Sequence, residues 1–286
     1  MTLTEFAPAK LNLGLWVLGR RPDGYHELLS LMLPLDFGDH LVAEEAPEIC
    51  VEYEPPQEFA PDLVRMAAEL LRKEWGLPSG AKILVRKRIP VGAGLGGGSS
   101  DAAAALRLLT RLWKIGLSRE QLLHLAQRLG SDVPFFLYQQ PALVRGRGER
   151  VQPVLLSLPY TFVVLYPGFS ISTAWAYAQL QRSERWQSEP EVPWDYVLSA
   201  LSREPGLFQR YFANDFEPLL FAHYPKLREL RYYLLQSGAF YAGVTGSGSA
   251  VFGIFETETT AQAAARQYED SAVVRAYVCR MYSCVP

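Results

Sequence analysis

The sequence predicts an α+β protein of two lobes, and three observations carry that expectation. At 286 residues the chain exceeds the usual size of one compact core, so two lobes with a cleft are the natural arrangement. Strand-like and helix-like hydrophobic patterning both occur in each half, without a repeat, a low-complexity tract or a heptad array. A glycine-rich string, Pro90 to Ser100, is set between a strand-like and a helix-like segment.

The elements follow in order. Residues 5–19 carry aliphatic and aromatic residues in partial alternation, and RRPDGYHE supplies turn chemistry before LLSLMLPLD, which predicts an opening hairpin. Short strands are expected between 40 and 53, a helix over 62–74 and a strand over 82–89. The run SSDAAAALRLLTRLW after the glycines predicts a helix that Ser99 or Ser100 is suited to cap. Ser118 and Gln121 form a capping-box pattern for a second helix ending near Gly130. Residues 142–165 look strand-like, and charge, Gly and Pro accumulate within them, which places the boundary between lobes near residue 155. Beyond it, helices are expected over 193–203, 225–237 and 258–269, and strands over 239–244, 250–255 and 272–279.

Composition excludes several classes. With 49% apolar and 20% charged residues the chain is an ordinary globular one. A net charge of −2 gives no basic field for a polyanion, so nucleic acid is not expected as a partner. Cys50, Cys279 and Cys284 are odd in number and lack ligand spacing, which argues against a disulfide framework and a zinc site and for a reducing compartment. No leader pattern and no run approaching about 18 apolar residues occurs, so the expected location is cytoplasmic, without a membrane partner.

The chemistry concentrates in PVGAGLGGGSSD. Gly92, Gly94, Gly96, Gly97 and Gly98 let the backbone take positive φ and approach a bulky anion, and the helix that follows presents unpaired N–H groups. Two other phosphate motifs overlap it. Gly92, Gly94 and Gly97 satisfy the dinucleotide fingerprint literally, but the preceding strand carries Lys82, Arg86, Lys87 and Arg88 where a buried apolar strand is required, and a helix begins where the acid-ended strand should lie. A Walker A loop fails because no Gly-Lys-Ser/Thr follows. A dinucleotide-dependent oxidoreductase is the rival class, and a non-catalytic nucleotide-sensing module stays open on these residues alone.

Three strings, PAKLNLGL at 8–15, PVGAGLGGGSSDAA at 90–103 and VTGSGSAVFG at 244–253, resemble the three signature motifs of the GHMP kinase superfamily. RPDGYHEL, GSDVPFF, YPGFSIST and FANDFE resemble, within it, the members that phosphorylate a hydroxyl of a CDP-linked methylerythritol in the non-mevalonate isoprenoid pathway. A homoserine or mevalonate-type kinase is the alternative inside the superfamily. The resemblance implies a two-lobed fold with a left-handed crossover near the phosphate loop, an ATP-binding part over 1–155 and a C-terminal part over 156–286. It also implies ATP with Mg2+, a small CDP-linked substrate, and a monomer or weak homodimer.

Residue by residue, the resemblance places Lys10 and Asp132 in catalysis, Lys10 steadying charge and Asp132 acting as base. Without it, Lys10 would read as a charge in an otherwise apolar strand and Asp132 as a helix cap. Pro90, Val91, Gly92, Ala93, Gly94, Leu95, Gly96, Gly97, Gly98, Ser99 and Ser100 would hold ATP, with Ser100 a hydroxyl ligand for magnesium. Asn12, Tyr25, His26, Thr173 and Asp215 would meet the substrate, Tyr25 and His26 at its cytosine end. Thr245 to Gly248 would support the cleft. Thr173 lies in SIST rather than a Pro-Thr-Pro string, and Asp62 stands where the family usually has Asn near the adenine.

Overall fold

The computed structural model describes residues 1–180 and 188–282; Cys284 lies outside the described residues. The chain groups into two compact units that interleave in sequence. The first comprises Met1–Ala9, Phe37–Ile89 and Gly96–Gln139, and the second Lys10–Asp36, Pro90–Leu95 and Gln140–Pro286.

Two long strands, β1 (Thr2–Arg20) and β2 (His26–Ala46), form the expected hairpin and pass through both units. Their length follows from composition: both are rich in buried Leu, Val and Ala, and no proline occurs between Leu11 and Arg20.

In the first unit the C-terminal half of β2 pairs antiparallel with β4 (Gly80–Arg86), placing Val42 opposite Leu84. Parallel to β4 runs β3 (Cys50–Glu54), with Val51 opposite Ile83, and helix α1 (Leu63–Glu74) makes the crossover between them. Asp62 caps α1 by accepting from Arg65 N, while Arg72 and Lys73 complement the dipole of its last turn. Helix α2 (Gly97–Leu112) buries Ala102 to Leu106 and packs on α1 and on α4 (Val133–Tyr138). Its start differs from expectation. The N-cap is Gly96, in the left-handed region at φ +74°, so Ser99 and Ser100 fall inside the first turn and neither caps it. Helix α3 (Arg119–Leu129) starts at Ser118 with the full capping box and stops at Gly130, as the sequence predicts.

In the second unit β5 (Ala142–Gly146) pairs with the N-terminal half of β2, Ser30 opposite Val144, and turns into β6 (Arg150–Pro153). A separate antiparallel sheet runs β10-β7-β9-β8, built from β7 (Thr161–Tyr166), β8 (Tyr241–Val244), β9 (Val251–Phe255) and β10 (Arg275–Arg280). All six residues of β7 are buried, consistent with its central place; Phe162 faces Ile254 on one side and Cys279 on the other. Removing such an aromatic from water stabilises by about 1.5–3 kcal/mol. Helices α9 (Pro225–Gln236) and α10 (Glu258–Arg266) cover this sheet. The short helices α5 (Thr173–Gln179), α6 (Trp194–Ala200), α7 (Gly206–Tyr211) and α8 (Glu217–His223) complete the unit. Among the described residues no helix is long and apolar enough to cross a membrane.

Candidate active site

In the second unit the first and third motifs meet the front of the phosphate loop. Lys10 is 4% exposed; its backbone N–H donates to Leu95 O at 3.0 Å, and its ammonium donates to Asn12 Oδ1. A buried cation needs such acceptors, because burial otherwise penalises the charge. Asn12 is fixed in turn: its Nδ2 donates to Ser30 Oγ at 2.7 Å, and Ser30 donates to Gly14 O at 2.7 Å. Asn12 N donates to Thr245 Oγ1 at 3.1 Å.

The loop itself is bound through its carbonyls. Those of Gly92, Ala93, Gly94 and Leu95 accept from Ile171 N, Ala250 N, Thr245 Oγ1 and Lys10 N. Across a trans peptide the following N–H points the opposite way, so the N–H groups of Ala93, Gly94 and Leu95 are turned away from these partners. Among the described residues none of the three has an acceptor. Successive outward N–H groups form a nest for an anion. Gly94, at φ +76°, has a second reason to be glycine: a Cβ there would lie 2.2 Å from Thr245 O. Gly246 is constrained more mildly, by its φ of +59° and because its Cβ would come within 3.2 Å of Gly94 O and Lys10 Nζ. The third-motif turn is held from below by Asn214, whose Nδ2 donates to Val244 O and Gly246 O, both at 2.8 Å.

The other expected substrate residues also lie in this unit. Thr173 Oγ1 and Ser247 Oγ are hydrogen-bonded at 3.0 Å. Asp215 accepts from Val17 N at 2.9 Å, which ties its carboxylate to β1. His26 stacks on Tyr177 at 5.0 Å; burial, with help from Arg20, pushes its pKa below the ordinary histidine value, so the ring is neutral at pH 7. Tyr25 is 51% exposed. The turn that carries both is braced. Asp23 feels desolvation that would raise its pKa, but the Tyr25 N–H and Arg21 hold it below the usual range.

The first unit holds the rest of the loop. Gly98 is roomier than Gly97, with only Leu63 Cδ1 at 3.8 Å from a built Cβ, whereas Gly97 would meet Ile89 Cγ2 at 3.1 Å. Ser100 is buried, and its hydroxyl donates to Pro8 O at 2.6 Å, leaving oxygen lone pairs as the only function it can offer a cation. Asp132 occupies the N-cap position of α4 but makes no capping bond. Its φ/ψ of −85°/−13° is helical rather than extended, and Pro134 at N2 has no N–H to give. Asp62 accepts from Tyr53 Oη at 2.8 Å as well as from Arg65 N, so that carboxylate is already committed.

Sequence reasoning missed a buried charge cluster here. Lys87 Nζ lies 2.5 Å from both Asp39 Oδ2 and Asp101 Oδ2, and Asp39 Oδ1 also accepts from Ile89 N at 2.8 Å. Burial alone would lower the Lys87 pKa, but Asp101 and Asp39 outweigh it and raise it. Burial, reinforced by Asp39, pushes Asp101 well above the usual carboxylate range. The ammonium sits 3.5 Å from where a Gly97 Cβ would be, so the cluster fixes the strand exit against the start of α2.

Residues 62–140 match the GHMP kinases N terminal domain and residues 197–273 the GHMP kinases C terminal domain. A protein of Prosthecochloris aestuarii named 4-diphosphocytidyl-2-C-methyl-D-erythritol kinase is 43% identical over 94% of both chains. The chain belongs to the GHMP kinase family. A protein of the same name from Thermodesulfovibrio yellowstonii is 37% identical, over 93% of this GHMP kinase and 94% of its own length. A crystal structure of 4-(cytidine 5′-diphospho)-2C-methyl-D-erythritol kinase superposes with a TM-score of 0.82 at 38% identity, covering 98% of this chain and 100% of that one. A homoserine kinase from Cytophaga hutchinsonii superposes at 0.72 over 98% and 95% of the two chains, but with 16% identity it shares the fold alone. As a GHMP kinase the chain has the two-lobed fold of that family, uses ATP and acts on a small molecule.

Proposed function

We propose that this GHMP kinase transfers the γ-phosphate of ATP to a hydroxyl of 4-diphosphocytidyl-2-C-methyl-D-erythritol, as the names of its relatives state for them. The observation that carries the reading is the buried Lys10 ammonium, fixed by Asn12 beneath the third-motif turn and beside Gly94 of the phosphate loop. A cation so placed meets the negative charge of a phosphoryl group.

In the reaction the substrate hydroxyl oxygen bonds to the γ-phosphorus, the bond from that phosphorus to the β–γ bridging oxygen breaks, and ADP leaves. Asp132 takes the hydroxyl proton; its carboxylate, spared from capping, is available as a base. The N–H nest of Ala93 to Leu95 and the start of α2 at Gly96 to Ser100 hold the phosphates, with the nucleotide on the part of the chain before residue 156. Asn12, Thr173 and Asp215 line the substrate side, and Tyr25 and His26 take the cytosine. Neutral His26 can both donate to and accept from a base edge.

Magnesium, when bound, screens the phosphates. The described residues contain no group of three His, Cys, Asp or Glu able to hold a metal, so the ion would arrive with the nucleotide, with the Ser100 oxygen as the protein ligand. A cytoplasmic monomer or weak homodimer fits this role. ADP release coupled to a reporter, with the CDP-linked alcohol compared with mevalonate and homoserine, tests the reading. Turnover should be confined to the CDP-linked substrate, and equal or preferred use of either other alcohol would overturn it.

A further inference from the structure

On the proposed reading, Tyr25 receives the cytosine. The sequence gives no reason for a half-exposed tyrosine in a turn to keep one ring orientation, yet the structure supplies one. The Arg147 guanidinium lies 4.8 Å from the centre of the Tyr25 ring, in cation–π contact with one face. Among the described residues Arg147 makes no close ion pair; the Asp23 carboxylate, two residues before Tyr25, attracts it from a longer range and helps draw the guanidinium over the ring.

Arg147 is itself aimed by its surroundings. It sits in the β5–β6 turn between Gly146 (φ +74°) and Gly148 (φ +119°), and its N–H donates to Glu149 Oε2 at 2.7 Å. The turn is fastened to the Tyr25 segment by buried Glu27. That carboxylate accepts from Arg21 Nη1 at 2.6 Å, from Gly146 N at 3.2 Å and from Arg150. Glu27 thus ties the chain on either side of Tyr25 to the hairpin that presents Arg147.

We propose that Arg147 is a specificity-determining positioning residue, which holds the Tyr25 ring as a platform so that its opposite face stacks on a pyrimidine base. A planar cation on one face of a ring restricts its rotation and leaves the other face for a second flat partner. The residue acts through Tyr25 and not by touching the phosphates of the substrate. This rests on the reading of Tyr25 and His26 as the cytosine end.

The test uses the full chain and two probes, cytidine and cytidine 5′-diphosphate, whose binding is measured by calorimetry for Arg147→Ala, Arg147→Lys and Tyr25→Ala. Loss of the contact should weaken both probes by about 2- to 30-fold in Arg147→Ala, the range of a cation–π contact. The KM for the CDP-linked alcohol should rise to match, with the KM for ATP and the Tm unchanged. Arg147→Lys, which keeps a cation over the ring, should recover most of the loss. Weakened diphosphate binding with cytidine unaffected would make Arg147 a direct phosphate ligand and overturn the proposal. So would unaltered binding in Arg147→Ala beside weakened binding in Tyr25→Ala, or a fall in Tm that carries ATP affinity down with it. If Tyr25→Ala binds both probes like the parent, the cytosine reading of the turn fails and the proposal fails with it.

Discussion

Asp132→Asn separates a catalytic carboxylate from a helix cap, and the structure sets the size of each effect. A cap is recognised by its bond. Ser118 shows one, with its hydroxyl accepting from Gln121 N at 3.3 Å and its own N–H donating to Gln121 Oε1 at 2.8 Å. Ser118→Ala should therefore cost about 1 kcal/mol of stability. Asp132 has no such bond to lose, because its backbone is already helical and Pro134 removes the N2 donor. The asparagine variant should melt within about 0.5 kcal/mol of the parent, the usual range for a surface change. Its kcat should fall by roughly 10² to 10⁴, or about 3 to 5 kcal/mol of barrier, because the amide cannot take the hydroxyl proton. Substrate binding should persist. The assay pairs coupled ADP release with calorimetric melting, using Ser118→Ala as the reference for a true cap. An Asp132→Asn enzyme with kcat within threefold of the parent would refute the reasoning, and so would one destabilised as much as Ser118→Ala.

Three further outcomes are expected. Lys87→Met leaves the Asp39 and Asp101 carboxylates buried without their cation, which should cost about 3–5 kcal/mol and show as a large fall in Tm; adding Asp101→Asn should restore part of it, and an unchanged Tm in the single variant would deny the cluster its role. Gly98→Ala, whose added Cβ makes only an ordinary contact with Leu63, should weaken ATP binding without lowering Tm, whereas Gly96→Val forces a β-branched residue to φ +74° and should lower Tm as well; equal melting of the two would contradict the backbone geometry. Burial raises the Glu217 carboxyl above its ordinary range, so the folded chain binds that proton more tightly than the unfolded one. The stability this brings is complete below the unfolded value of about 4.3 and is lost as pH rises through the folded value. The Tm of the parent relative to Glu217→Gln should fall as pH is raised, and a constant difference would argue against the shift.

Much of the fold could be read in advance because its signals are local. The Pro-Asp-Gly turn before Tyr25, the Ser118–Gln121 box and the Gly130 stop each act within four residues, and each appears where the sequence places it. The helices α5, α7 and α8 were not legible, since six or seven residues are too few to show a period of 3.6. Ser99 and Ser100 have good capping chemistry but start one turn too late, because Gly96 already supplies the left-handed residue from which α2 departs. Lys87 was counted with Lys82, Arg86 and Arg88 as a mark of an exposed strand; its side chain is 6% exposed, as its two carboxylate partners lie 48 and 14 residues away. Long-range pairing leaves no periodic trace. Asn214 and Ser30 escaped notice for the same reason, since each earns its place by bonds to distant backbone or side chains.

The interleaving of the two units has a consequence for how the chain can be made. During synthesis every segment of the first unit has been translated once residue 139 is complete, whereas Lys10–Asp36 belongs to a unit whose remaining strands, β5 to β10, come later. That early stretch carries Leu11, Leu13, Leu15, Val17, Leu29, Leu31 and Leu33, all buried in the finished protein, and it must wait while more than a hundred residues are added. At about 5–20 residues per second the wait lasts several seconds or more, during which an apolar hairpin with open edges is available to chaperones and to its own copies. A ribosome that pauses near Gln140 prolongs the exposure of this hairpin, and codon changes that slow translation there should lower the yield of soluble enzyme.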